Sequence, residues 1–344
     1  MTSKSDGQGF PRSPGIQDPA DEPAVLVENV APPVGYAELH CRTNYSFLEG
    51  ASHADELAAR AVELGLTALA ITDRNSLAGV VRAHVAATEA GLKLLVGAEI
   101  VPTDGPSLVL LATDRAAYGR LSRLITTGRR RAPKGECRLT MSDVADHAEG
   151  LLCAVPLSTE SRLRFERRFQ PGGVCDVTDD ELRRLRDIFR ENCYGLAELH
   201  HGPGDESRLF RWMQQSRRCH VPIAAANDVH YHVSRRRALQ DVLTATRHAI
   251  PLQSLGHELF PNGERHLKSA AEMIGLFGGH TELIARTVEI AGRCQFSLSE
   301  LRYEYPEELV PRGVSPIQHL SALTWGGAKR RYQNGVPQKV RDLI

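Results

Sequence analysis

A chain of 344 residues with 42% hydrophobic side chains can bury a full-sized core, which excludes a wholly disordered protein. Lysine plus arginine and aspartate plus glutamate are equal at 42 each, so no global basic field advertises nucleic-acid binding, and any such function must rest on local patches. The seven cysteines form no CxxC pair and no apolar run is long enough for a membrane span or a signal-peptide core, so reduced thiols in a cytoplasmic protein are expected.

Residues 1–34 are rich in Pro, Gly, Ser and Asp without periodicity and read as a disordered tail. Ordered structure is expected from near Tyr36. YAELHC reads as a short strand, and SHADELAARAVELGL as a helix capped by Ser52, with Leu57, Ala61 and Leu64 on one face and Gly65 ending it. TALAIT is then a strand ending at Asp73, SLAGVVRAHVAATEAG a helix, KLLVGAEIV and SLVLLAT two strands, and DRAAYGRLSRLITTG a further helix. GLLCAVPL, YGLAELHH and VPIAAANDVHY read as strands, the last two separated by a helix over about 207–218. Short strands alternating with helices predict an α/β fold with a parallel sheet or barrel. NGVPQKVRDLI reads as a turn and a helix starting near Pro337.

Polar residues gather at the carboxyl ends of these strands: His40, Asp73, Glu99, His200 and His201, Asp228 and His230. That is where parallel α/β folds assemble their sites. Alternate residues of a strand share a face, so a histidine at 40 and a second at 42 could clasp one cation. Position 42 is instead Arg42, whose guanidinium has no lone pair to give a metal.

The segments AELHCRTNYSFLEGASH, ALAITDRNSLAGVVRAH, LLVGAEI, ANDVHYHVSRRRALQDVL, LFPNGERHLKSAAEM and SLSELRYEYPEE resemble the polymerase and histidinol phosphatase (PHP) domain. More closely, they resemble the amino-terminal region of error-prone bacterial C-family DNA polymerases, relatives of the replicative alpha subunit. The resemblance implies a distorted (β/α)7 barrel over 35–270, followed over 271–344 by a mainly helical segment leading into a polymerase palm. It implies an error-prone DNA-directed DNA polymerase of damage-induced mutagenesis and translesion synthesis. Its partners would be primed DNA, dNTPs, mutagenesis accessory proteins and a sliding clamp, with Mg2+ for the full-length enzyme. The paired aspartates of the palm are expected beyond Ile344, leaving this chain inactive alone.

Carried over residue by residue, the family's metal pattern gives His40 but Arg42, then Glu49, then Asp73 followed by Arg74 in place of a histidine, Glu99, Ser107 where a histidine opens the next strand, and Asp228 and His230. Either His200 or His201 matches a further histidine. Arg42 and Arg74 would then face Glu99, Asp73 and Asp228 and replace the charge of a divalent ion, leaving a degenerate, non-catalytic pocket. No firmly bound cofactor is expected, with residual Zn2+ or Mn2+ left open.

GRRRAPKGE, with Arg129, Arg130, Arg131 and Lys134, is dense enough to neutralise phosphates or is a solvated loop. Arg235, Arg236 and Arg237 could cap the pocket or meet DNA; Cys153 reads as a packed thiol and His232 as a rim residue. The rival readings are a stand-alone metal-dependent PHP phosphoesterase and a non-catalytic interaction module. The segments after residue 232, which a small phosphatase does not need, weigh against the first.

Overall fold

The computed structural model describes residues 34–158, 177–302 and 310–344, so the expected tail lies, but for its last residue, outside the described residues. Residues up to Phe296 belong to one compact unit and Ser297–Ile344 to a second.

The first unit is built on seven strands in sequential order: β1 (Ala37–Glu38), β2 (Ala68–Ile71), β3 (Lys93–Ile100), β4 (Leu108–Ala112), β5 (Leu151–Pro156), β6 (Cys193–Glu198) and β7 (Ile223–Ala226). Pairing is parallel except around β4, which runs antiparallel to both β3 and β5. The α/β barrel expected from the alternating elements is present, with β4 reversed within it. A parallel return needs a crossover of a dozen residues or more, and only a short turn separates Ile100 from Leu108. The ring closes past the ends of β1 and β7. There Arg42 N–H donates to the Val229 carbonyl at 2.9 Å and Val229 N–H to the His40 carbonyl at 2.8 Å, a parallel bridge.

One set of alternating residues lines the interior, including Ala37 and Leu39, Ala68 and Ala70, Val109 and Leu111, Leu152 and Ala154, and Ala224 and Ala226. Small side chains suit the tight curvature of a seven-stranded ring. Around it lie α1 (Ala54–Glu63), α2 (Val80–Glu89), α3 (Arg115–Arg131), α4 (Met141–Asp146), α5 (Asp179–Phe189), α6 (Asp205–Cys219), α7 (Arg237–His248), α8 (Ala270–Leu276) and α9 (Thr281–Arg293). Helix α9 packs on β7 and β1 and sends Ile290 and Ala291, with Cys294 just beyond it, into the interior cluster. Its Thr287 hydroxyl accepts from Ala37 N–H at 3.0 Å, satisfying a backbone donor of β1.

Two local expectations are corrected. Helix α1 is capped at His53, whose N–H donates to Glu56 at 2.9 Å, because Ser52 Oγ is engaged with His232 Nδ1 at 2.8 Å. Arg129, Arg130 and Arg131 form the last turn of α3 rather than a loop, where cations offset the helix dipole. The second unit holds α10 (Pro316–Arg331), opened by Ser315 and Gln318 in a capping box with Pro316 at the first turn, and α11 (Gln338–Arg341).

Candidate functional site

The strand order and the reversed β4 bring the carboxyl ends of six strands and the amino end of β4 to one rim. Arg42, fully buried just past β1, projects into the middle of that rim. Its Nε and Nη2 both donate to Glu99 Oε2, at 3.1 and 2.8 Å. Its Nη1 donates to Asp228 Oδ1 and to His230 Nε2. Glu49 Oε2 lies 3.9 Å from Arg42 Nε. Arg74, at the edge, brings its Nε to 3.2 Å from Glu49 and 3.5 Å from Glu99. A third cation completes the set: buried Arg265 donates to the other oxygen of Asp228 and stacks over the Phe260 ring.

The electrostatics reflect this packing. Burial would raise the Glu99 carboxyl, but Arg42 and Arg74 outweigh it and hold it at about 2. Against the same burial, Arg42 and Arg265 keep Asp228 well below the usual carboxylate range. Burial, then Arg42, brings His230 down to about 4, so it is neutral. With Nδ1–H donated to the Glu49 carbonyl at 3.3 Å, its Nε2 lone pair is left to accept from Arg42. Although burial alone would lower it, His40 is raised by Asp228 and Glu198, and its Nδ1 lies 2.7 Å from Glu198 Oε1.

His40, Arg42, Glu49, Arg74, Glu99, Asp228 and His230 are thus brought together. Asp73 is buried at the same rim and accepts from Thr43 N–H, Thr43 Oγ1 and Ser46 Oγ, each at 2.8 Å, which ties the 43–50 loop to the end of β2. Ser107 opens β4 with its hydroxyl buried. His200 is half-buried, its Nε2 2.9 Å from the Asn227 carbonyl, whereas His201 is exposed with φ +51° and 3.9 Å from Glu264. Of the cations at the end of α3, Arg129 is tied to the Asn75 carbonyl at 3.0 Å and Arg131 to Asp143 at 2.6 Å, while Arg130 and Lys134 are exposed.

Sequence reasoning missed Arg265 and Glu198. Arg265 stands inside LFPNGERHLK, a segment of the family resemblance that belongs to no strand; Glu198 shares its strand face with His200, two residues on, at a strand end where the paired histidines are the more conspicuous signal.

The residues present do not fit a divalent ion. The lone pairs of Glu99 Oε2, Asp228 Oδ1 and His230 Nε2 all meet the guanidinium of Arg42, so a cation placed among them would overlap a like charge. Among the described residues of this rim, the buried lone-pair atoms without a hydrogen-bond partner are His40 Nε2, Glu99 Oε1 and the weakly ligating Ser107 Oγ, a poor set for a metal. Among the described residues no group of three or more His, Cys, Asp or Glu is arranged for a metal. With three arginines set against Glu49, Glu99 and Asp228, the arrangement is a neutralised ion cluster.

Comparison with known proteins agrees with this architecture. The PHP domain family model matches residues 38–198. An error-prone DNA polymerase of Rhodopirellula baltica is 44% identical over 333 residues, covering 97% of this chain and 29% of that protein. Those of Dechloromonas aromatica and Caulobacter vibrioides are each 46% identical, covering 90% and 91% of this chain and 29% and 28% of their own lengths. The chain therefore spans less than a third of these relatives. It carries a PHP domain and matches the amino-terminal portion of error-prone C-family DNA polymerases, the barrel together with the opening of the region beyond it.

Proposed function

We propose that this chain serves as the amino-terminal part of an error-prone DNA-directed DNA polymerase acting in damage-tolerant synthesis, and that its PHP barrel is a scaffold without hydrolytic chemistry. The observation that carries the second half is Arg42: a permanently charged group occupies the place where lone pairs would have to converge on a metal. Hydrolysis through a metal needs an ion with an open position for water, and the ion cluster leaves no such position. Identity to error-prone polymerases along nearly the whole chain supports the first half. Primed DNA, dNTPs, Mg2+, accessory mutagenesis proteins and a sliding clamp belong to that full-length activity, in the cytoplasm. Of the basic residues closing α3, Arg130 and Lys134 are left to meet phosphates. The break between compact units at Phe296 supports a scaffold that includes the helix after residue 280, with the start of the palm following it.

Elemental analysis of the purified protein tests the scaffold reading. Less than about a tenth of an equivalent of zinc or manganese is expected after gel filtration. Stoichiometric, tightly held metal would overturn it and favour a phosphoesterase. Primer extension by the full-length protein tests the polymerase half separately.

A further inference from the structure

The loop after β1 carries the most exposed aromatic side chain among the described residues, Phe47 at 79% exposure. A large apolar ring so placed is ordinary on a mobile loop, which can fold it away. This loop is fixed. Asp73 takes hydrogen bonds from Thr43 and Ser46, Asn44 N–H donates to the Ser52 carbonyl at 2.8 Å, and Ala51 N–H to the His230 carbonyl at 2.7 Å. Arg247 donates to the Leu48 carbonyl at 3.2 Å, and Leu48 is held at φ +60°, a left-handed conformation costly for a branched side chain. A backbone already fixed loses little conformational entropy when a partner covers the ring it carries.

Beside Phe47 lies a shallow cavity of about 280 Å³, which it lines with Leu239, Leu243, His53 and Arg236. No carboxylate lines it; Arg236 and His53 are its ionisable side chains. Arg236 is held by Glu56, and the neighbouring Arg235 is exposed. Tyr45, two residues before Phe47, is also partly exposed. Arg235, with Arg236 shared with Glu56, beside an exposed ring on a fixed loop complements a polyanion that offers flat apolar faces. Duplex DNA hides its base faces within the stack, whereas a single strand presents them. The cavity is too small to bury the several side chains by which a folded protein anchors itself.

We propose that this face binds single-stranded nucleic acid, with Phe47 stacking on a base and Arg235 and Arg236 meeting the adjoining phosphates. The inference rests on the polymerase reading above and gives the barrel a part in it: holding an unpaired strand. It also gives Asp73 a task, fixing the loop that presents Phe47.

The test is fluorescence anisotropy of a labelled oligothymidylate titrated with the full chain at low salt. Phe47→Ala should weaken binding roughly 10-fold, the order of one lost stacked base, with an unchanged thermal melt since the ring is exposed. Phe47→Trp should keep the affinity, and its fluorescence should be quenched by the oligonucleotide, a signature that loose electrostatic attraction would not give. The pair Arg235→Ser with Arg236→Ser should lower the slope of log affinity against log salt by about 1.4, near 0.7 for each phosphate contact on a single strand. Unchanged affinity of Phe47→Ala would place any DNA contact elsewhere and overturn this site while leaving the polymerase reading to its own primer-extension assay. Absence of oligonucleotide binding by the wild-type chain would overturn it too.

Discussion

At the scale of single residues, Arg42 has the most to lose. Its removal leaves Glu99 and Asp228 buried with one cation each in place of two, and a stranded buried charge costs about 3–5 kcal/mol. Arg42→Met should therefore lower the free energy of unfolding in urea by that order. Arg74→Met, at a position with its side chain 11% exposed and its partners still facing Arg42, should cost less. Two glutamates give opposite pH dependences. Glu99 sits at about 2 when folded against an ordinary 4.5, so the stability it contributes is complete above about pH 5 and is lost as pH falls towards 2. Glu38 is pushed up by burial from 4.5 to about 7, despite accepting hydrogen bonds from His40 N–H and the Tyr36 hydroxyl. Between those values the folded chain keeps a proton that the unfolded chain has lost, so its contribution falls as pH rises through that window. Glu38→Gln should consequently raise the Tm relative to wild type at pH 8 and leave it nearly unchanged at pH 4. An equal shift at both would show that the buried charge is not the cause.

At the scale of elements, α9 belongs to the barrel. Its Thr287 satisfies β1, and Ile290 and Ala291 fill the interior beside Ala224 and Ala226. A chain ending at residue 270, the boundary suggested by the sequence, would expose that interior, whereas one ending at Phe296 would keep it. The shorter chain should lose cooperative thermal unfolding by circular dichroism and the longer should retain it. If both melt alike, α9 is dispensable. The strands were legible because apolar runs such as ALAI and LVLL are bounded by turns and end on polar residues. The direction of β4 needed a different signal, the length of the connection before it. Helix α8 was legible in principle, since Ser269 and Glu272 form a capping box ahead of an apolar run, yet periodicity over its seven residues is too brief to stand out.

At the scale of the whole molecule, the barrel and its site are separable problems, and the sequence spoke to them unequally. Strand ends pointed to His40, Glu99, Asp228 and His230, which lie together at the rim, since backbone periodicity carries that much. They could not reveal Arg265, which arrives on a segment after β7 and pairs with Asp228 only once the ring has closed. That third arginine changes what restoring a metal site requires. Arg42→His with Arg74→His removes the guanidinium from Glu99 and His230 and supplies two neutral imidazoles with free lone pairs. Arg265 still occupies Asp228, so one carboxylate remains committed and a cation placed beside it meets a fixed positive charge. The double variant should therefore take up zinc weakly, losing it on gel filtration. Adding Arg265→Met should free Asp228, and the triple variant should retain about one equivalent by elemental analysis, with its melting temperature rising when zinc is added because only the folded chain offers the site. Equal zinc retention by the double and triple variants would mean that Arg265 does not guard the pocket. A triple variant that fails to bind, yet melts cooperatively, would mean that the barrel no longer holds these side chains at coordinating distances.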